Sequence, residues 1–319
     1  MASLKEIRGR IKSAKNIQQI TKAMKMVAAA RLRRSQERMQ SVRPYADLIA
    51  GMLKAIARRA SDAASHPLMA QREGAEKGTG TLRLVVFTAD KGLCGSFNVN
   101  VLRKAAQIIR EQETKRRVEV VAVGRKGRDF FAHFNVPMVG QYVQLGLIQS
   151  PLAGAIAREQ TEAYLSGAVD EVLLLATEFK SVISLKPSAV RLLPFEMKLL
   201  DLDGPWAPAG AADPAADAKA DPAADPKAVA KQGGMPPAYE PSRAEVFREL
   251  VPRAVEMQVW KTLLESQACE FAARMTAMDN ASRNSKELIG SLTLYANRIR
   301  QAVITKEIAE LVGGAEALK

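Results

Sequence analysis

Cysteine is scarce in this chain of 319 residues, with Cys94 and Cys269 the only two. Two thiols cannot build a disulfide framework for a chain of this length, and their separation is not that of a metal site. A reduced setting is therefore the expectation. Histidine is equally scarce: His66 and His133 are the whole supply, neither stands in a nucleophile motif, and Cys94 reads as a buried thiol rather than a nucleophile. Aromatic residues make up 5% of the chain, which argues against a core of large rings and for helices packed through Ala, Ile, Leu and Met. No stretch of about 18 apolar residues occurs, so no spanning helix is expected, and the N-terminus lacks the apolar core of a secretory signal. That N-terminus is basic and amphipathic, as a mitochondrial transit peptide is, but its periodicity runs too far and reads as structure.

The motifs that hold nucleotides are missing too. There is no G-x-x-x-x-G-K-[ST] phosphate loop and no G-x-G-x-x-G after a strand. Gly124-Arg125-Lys126-Gly127 follows a strand and could face an anion, yet it lacks the Ser/Thr and the loop length of a phosphate cradle. The tract Asp90 to Asn98 (DKGLCGSFN) sits at the carboxyl end of the first strand, where α/β folds place ligands. It reads as a tight turn in which Gly92 and Gly95 supply backbone freedom.

Long helices occupy both ends of the chain. From Leu4 to Arg43 the apolar residues Leu4, Ile7, Ile11, Ala14, Ile17, Ile20, Met24 and Val27 recur at spacings of three and four, the signature of an amphipathic helix. Pro44 is expected to kink it, because an interior proline removes a backbone donor, and Tyr45 to Ala64 resumes good helix formers. From Arg253 to Val312 there is no proline, Gly290 is the one weak interruption, and Leu288, Leu292, Tyr295, Ile299 and Ala302 keep a heptad-like stripe. A helix of that length reaches roughly 90 Å, far more than one globular core needs, and implies a coiled coil.

Charge is concentrated in the first of these helices. Residues 1–60 hold 15 Lys or Arg against Glu6, Glu37 and Asp47, a net +12 within a chain of +13. A partner of negative charge is expected for it, whether nucleic acid, anionic lipid or an acidic protein surface.

Between the helices, strand and helix signals alternate. Leu82 to Thr88, Val118 to Val123, Val172 to Thr177 and Val190 to Phe195 read as strands; Val99 to Gln112, Arg125 to Phe134 and Ala153 to Ser166 read as helices. That order predicts a three-layer α/β domain on a largely parallel sheet. Residues 204–241 are of another kind, with eight of the chain's 15 prolines and the tract DPAAD repeated at Asp213 and Asp221. Such a composition cannot bury enough apolar area to offset its ordering entropy, so a disordered insertion is expected. A docking segment that orders on a partner through Trp206 and Tyr239 is the alternative.

Four segments carry a family resemblance: Ile20 to Leu32 (ITKAMKMVAAARL), Thr88 to Asn98 (TADKGLCGSFN), Arg274 to Ala281 (RMTAMDNA) and Tyr295 to Gly314 (YANRIRQAVITKEIAELVGG). Together they resemble the γ-subunit family of F-type ATP synthases, over everything except the insertion. Gln19 departs from the basic residue common at that place, and the insertion holds no cysteine where chloroplast γ subunits carry a redox-sensing segment, so thiol regulation is not expected. The resemblance implies an α/β fold plus a long antiparallel coiled coil, with the terminal helices forming a shaft and a central Rossmann-like domain forming a foot. It divides the chain into a first coiled-coil helix (1–64), the α/β foot (80–200), the insertion (204–241) and the last coiled-coil helix (243–319).

The implied function is that of a non-catalytic rotor. The shaft would lie in the hexamer of α and β subunits, the foot would transmit the turn of the membrane c-ring, the ε subunit would be a further partner, and ATP would be made on the β subunits. No cofactor, metal, nucleic acid or direct membrane insertion is implied. Lys22, Met24 and Lys25 would face an acidic lower loop of a β subunit; Arg300 and Gln301 would hydrogen-bond to a β loop at the rim, with Thr305, Glu307 and Arg274 supporting them. Arg31, Arg33 and Arg34 would add general positive field. The lack of a removable presequence favours a bacterial source, the chain lying on the cytoplasmic side of the inner membrane. Two other classes remain open: a basic nucleic-acid-binding coiled coil, which only Tyr45 in the first 60 residues could serve by stacking, and an α/β enzyme oligomerised by its helices.

Overall fold

The computed structural model describes residues 4–57, 66–146, 149–182, 184–196, 240 and 242–316. The stretch 204–241, Glu240 apart, and the helical continuation expected over 58–64 lie outside these residues. In chain order the elements are α1 (Leu4–Ala57), α2 (Glu73–Lys77), β1 (Leu82–Phe87), α3 (Phe97–Glu113), β2 (Val118–Val123), α4 (Arg125–His133), β3 (Met138–Tyr142), α5 (Ser150–Leu165), β4 (Glu171–Phe179), β5 (Leu185–Leu193) and α6 (Arg243–Glu316). They form two compact units, one of Met1–Arg33, Leu93–Gly95 and Phe271–Lys319, the other of Arg34–Gly92 and Ser96–Glu270.

The larger unit is built on a five-stranded sheet in the order β3-β2-β1-β4-β5, a doubly wound arrangement. β1 pairs parallel with β2 and β4, β2 parallel with β3, and β5 antiparallel with β4. The β1 sequence LRLVVF is buried throughout because both faces of the sheet are covered. Val85 and Phe87 point into one core with Ile49, Leu53 and Ile56 of α1, Ile156 and Tyr164 of α5, and Val251, Val255 and Val259 of α6. Leu82, Leu84 and Val86 point into the other, against Val101, Ala105 and Ile109 of α3 and Phe131 of α4.

Two strand readings are corrected. β3 escapes a periodicity argument because MVGQY is short, holds a glycine and alternates only half-buried and exposed positions. β5 begins at Leu185 rather than Val190; as the antiparallel edge strand it tolerates Pro187, whose missing donor would break an inner strand. α1 continues through Pro44, since one lost donor bond is small beside the packing of Ile49, Leu53 and Ile56 that follows.

The smaller unit is an antiparallel two-helix coil. Lys25 meets Asp279 and Arg31 meets Phe271, so residues later in α1 face residues earlier in α6. The seam of α1 runs Leu4, Ile7, Ile11, Ala14, Gln18, Thr21, Lys25, Ala28 and Leu32, alternating steps of three and four, each buried or half-buried. On α6 it runs Met278, Ser282, Ser285, Ile289, Leu292, Ala296 and Ile299. A strict seven-residue repeat is the condition for left-handed supercoiling.

The apolar stripe and this seam part company after Ala14. Ile17, Ile20 and Val27 are 53%, 59% and 53% exposed, and Met24 is half-buried, because the stripe steps by three at Ala14 where the seam steps by four. On α6 the expected Leu288 and Tyr295 are likewise exposed, one position off Ile289 and Ala296, and the expected Ala302 is exposed three positions past the seam's end at Ile299. Beyond that end, residues 301–313 are exposed on every side.

Candidate functional site

In the larger unit, the carboxyl ends of β1 and β2 would be the ligand crevice of a doubly wound sheet. Thr88 closes part of it: its Oγ1 donates to the Val123 carbonyl at 3.0 Å and accepts from the Gly127 amide at 2.8 Å. Gly124 has φ +101°, and a Cβ there would lie 2.1 Å from the Thr88 carbonyl oxygen, so only glycine fits. The Asp90 carboxylate accepts from the amides of Arg125 at 2.9 Å, Gln144 at 3.2 Å and Leu145 at 2.6 Å. The Arg125 amide at the start of α4, which an external anion would need, is thus engaged by a carboxylate of the same chain. Gly124 thus makes the junction between strand and helix, and Arg125, Lys126 and Gly127 open α4. The Asp90–Asn98 tract is corrected in one detail: the left-handed residues are Leu93, at φ +63°, and Gly95, at +57°, and Gly92 is not among them.

Charge at the other end of the sheet is paired internally. Arg116 and Arg191 hold Glu171 at 2.6 and 2.8 Å, and Arg83 holds Glu119 at 2.8 Å. Cys269 is buried, its thiol donating to the Thr177 carbonyl at 3.2 Å, and burial pushes it far above the ordinary thiol range. Cys94 is buried as well. Among the described residues no group of three or more His, Cys, Asp or Glu is arranged to hold a metal ion.

The residues named as coupling candidates lie in the smaller unit, in three groups. Lys22, Met24 and Lys25 share one turn of α1, with Lys22 exposed and the other two half-buried. Lys25 Nζ donates to Asp279 Oδ1 at 2.6 Å, and this hydrogen bond holds the Asp279 carboxyl below its usual range, with Arg283 adding to the effect. Arg274 lies over the Phe271 ring at 5.9 Å, and Arg31 approaches the same ring at 5.8 Å, so two guanidinium groups share one buried aromatic. Arg300, Gln301, Thr305 and Glu307 are exposed near the end of α6, where Thr305 Oγ1 donates to the Gln301 carbonyl at 2.9 Å. A separation of 26 positions along the helix sets Arg274 and Arg300 about 39 Å apart.

Sequence reasoning missed Asp279 and the Arg31–Phe271 contact. Continuing the heptad through polar residues, rather than following the apolar ones, would have placed Lys25 in the seam and required an opposing carboxylate.

Comparison with known proteins supplies the family. The family model described as ATP synthase matches residues 3–318. An ATP synthase gamma chain from Desulforamulus reducens is 44% identical over 320 residues, with both chains fully covered. One from Anaeromyxobacter sp. strain Fw109-5 is 45% identical over 326 residues, again with full coverage. Among solved structures, a chain of the central stalk and c-ring of the Tetrahymena thermophila mitochondrial ATP synthase is 26% identical with a TM-score of 0.55, covering 82% of this chain and 99% of that one. The α/β fold with two long terminal helices, and the match along the whole length, have one reading: the chain belongs to the ATP synthase gamma-chain family.

Proposed function

We propose that this chain is the rotor of the central stalk of an F-type ATP synthase, coupling ion-driven rotation of a membrane ring to the conformational cycle of nucleotide sites on other subunits. The observation that carries this reading is the smaller unit's outer surface. Ile17, Ile20 and Val27 on α1, and Val303, Ile304, Ile308 and Leu311 on α6, are large apolar residues that the coiled coil does not consume. Around them, residues 1–33 carry nine Lys or Arg and one acid, Glu6. A surface both apolar and cationic suits a helix pair turning inside a sleeve of other subunits whose facing loops are acidic.

The chain is then a non-catalytic subunit. Its partners are the α and β subunits around the helix pair, and the ε subunit and c-ring at the α/β unit. Among the described residues no helix is long and apolar enough to cross a membrane, which fits a peripheral place on the cytoplasmic side of a bacterial inner membrane. Lys22, Met24 and Lys25 form the lower contact with a β subunit, and Arg300, Gln301, Thr305 and Glu307 the upper one, with Arg274 in support through Phe271. Each helix orientation favours one conformation of each β site by differential contact. Nucleic-acid binding is not supported: the family match accounts for the whole chain, basic helix included.

The test is purification of the tagged chain from membranes. An ATP-hydrolysing hexamer should copurify, and membranes reconstituted with the chain should pump protons on ATP addition. A chain recovered alone, from cells whose ATPase is intact, would sink the reading.

A further inference from the structure

The seam of the smaller unit is apolar at both ends and polar in the middle. Aligning the two heptads on the Lys25–Asp279 and Arg31–Phe271 contacts sets Ile11 opposite Leu292, Ala14 opposite Ile289, and Ala28 opposite Met275. Between these layers stand Gln18 opposite Ser285, Thr21 opposite Ser282, and Lys25 beside Met278. The hydroxyls there serve their own helices: Thr21 donates to the carbonyls of Ile17 and Gln18, and Ser285 to that of Ala281. Neither reaches across. Over two heptad layers the helices therefore have little apolar surface and no hydroxyl bridge to fix how they slide or rotate against each other. The cross-helix polar contact described in this stretch is Lys25–Asp279, at 2.6 Å. A charge at a core position sacrifices stability and specifies register, since a slipped partner leaves it unpaired.

We propose that Asp279 is a positioning residue for coupling: by pairing with Lys25 it keys the register of the two helices across a polar break, and so fixes the angle at which Lys22 and Met24 face outward. The register claim stands on the seam alone; the coupling claim rests on the rotor reading. Lys25 thereby serves the seam as well as the proposed lower contact. Lys22, in the same turn, is the more exposed charge of the two.

Two readouts test it. In the isolated full-length chain, a cysteine at Gln18 is paired with one at Ser285 for the native register, or with one at Leu292 for a one-heptad slip, and disulfide yields are compared. Asp279→Ala and Asp279→Lys should raise the slipped product about fivefold, the upper end of what a pair this exposed supplies. Asp279→Glu and the exchange Lys25→Asp with Asp279→Lys should restore the native yield. Asp279→Asn, which keeps the shape and loses the charge, should behave as the alanine variant does if both fold. In the assembled complex, Asp279→Ala and Asp279→Lys should lower the protons pumped per ATP hydrolysed while hydrolysis persists, and Asp279→Glu, which leaves Lys25 in place, should keep the ratio. An unchanged cross-linking pattern in both variants, or an exchange that does not restore the native cross-link in the isolated chain, overturns the register key. Altered cross-linking with unchanged pumping overturns the positioning role alone. Failure of the unmodified chain to support pumping counts against the rotor reading and leaves the register key to be decided by cross-linking.

Discussion

The two units differ in how much of their large apolar side chains they hide. In the α/β unit Phe87, Phe131, Tyr164, Leu174 and Ile156 are all but sealed from solvent, whereas the helix pair buries Ile7, Leu32, Phe271 and Met278 but leaves Ile17, Ile20, Leu294 and Leu311 outside. One unit hides its largest side chains from water; the other hides fewer and keeps large apolar side chains on its surface. The difference separates a part that must hold its shape alone from a part shaped for company.

If that contrast is right, the same kind of truncation has very different effects in the two units. Phe87→Ala, which empties a site between the sheet and α1, α5 and α6, should lower the unfolding free energy by about 3–5 kcal/mol, read by denaturant titration. Gly124→Ala forces a Cβ to 2.1 Å from the Thr88 carbonyl oxygen at a positive φ, and a loss of about 1–3 kcal/mol is expected in the same assay. Asp90→Ala strands three amides at the sheet's carboxyl end, for a cost of about 1–3 kcal/mol, and should raise hydrogen exchange at Arg125 and Leu145. Losses well under 1 kcal/mol at all three sites would mean the α/β unit is not the rigid member of the pair.

The α/β unit was the more legible of the two. Runs such as LRLVVF and VEVVAV are apolar on both faces, and that composition leaves them few environments besides an inner strand. β3 was illegible because an edge strand with one apolar flank carries half the signal. The helix pair was legible as helix and illegible as surface. Apolar spacing at Ile17, Ile20 and Val27 mimics a seam, but burial follows the strict repeat through Gln18, Thr21 and Lys25, and a helix that serves two neighbours carries two stripes. The role of Asp90 was hidden for a different reason: which amides a carboxylate reaches depends on Gln144 and Leu145, over fifty residues away in sequence.

A smaller effect concerns pH in the α/β unit. His66 is buried, its Nδ1 accepts the Leu68 amide at 3.1 Å, and its ring meets Phe247 edge-on at 6.1 Å. Burial, opposed by a backbone hydrogen bond at Arg248 and aided by that residue's charge, holds its pKa below the ordinary 6.5. The neutral ring is thus favoured in the folded chain. Its contribution is complete above the unfolded value and is lost as pH falls from there through the folded value, because the unfolded chain takes up the proton first. Melting temperature should therefore fall between about pH 7 and pH 5.5, and His66→Asn, whose oxygen can accept the same amide, should flatten that part of the curve. An identical slope in the variant would remove His66 as the source.

The smallest effect on stability should come from the residues that matter most to the contrast. Ile17→Ser with Ile20→Ser removes two large apolar side chains from α1, yet both are more than half exposed and neither enters the seam, so unfolding should shift by no more than about 0.5 kcal/mol. The same pair of changes at Ile7 and Ile11, inside the seam, should destabilise the helix pair measurably. If Ile17 and Ile20 face another subunit, the exposed double variant should instead loosen assembly, seen as a lower yield of copurified hexamer or a lower ratio of protons pumped to ATP hydrolysed. A variant that loses stability but assembles normally would make these isoleucines part of the unit's own core. One that loses neither would leave the apolar face without a partner, and the contrast between the units would then be one of composition alone.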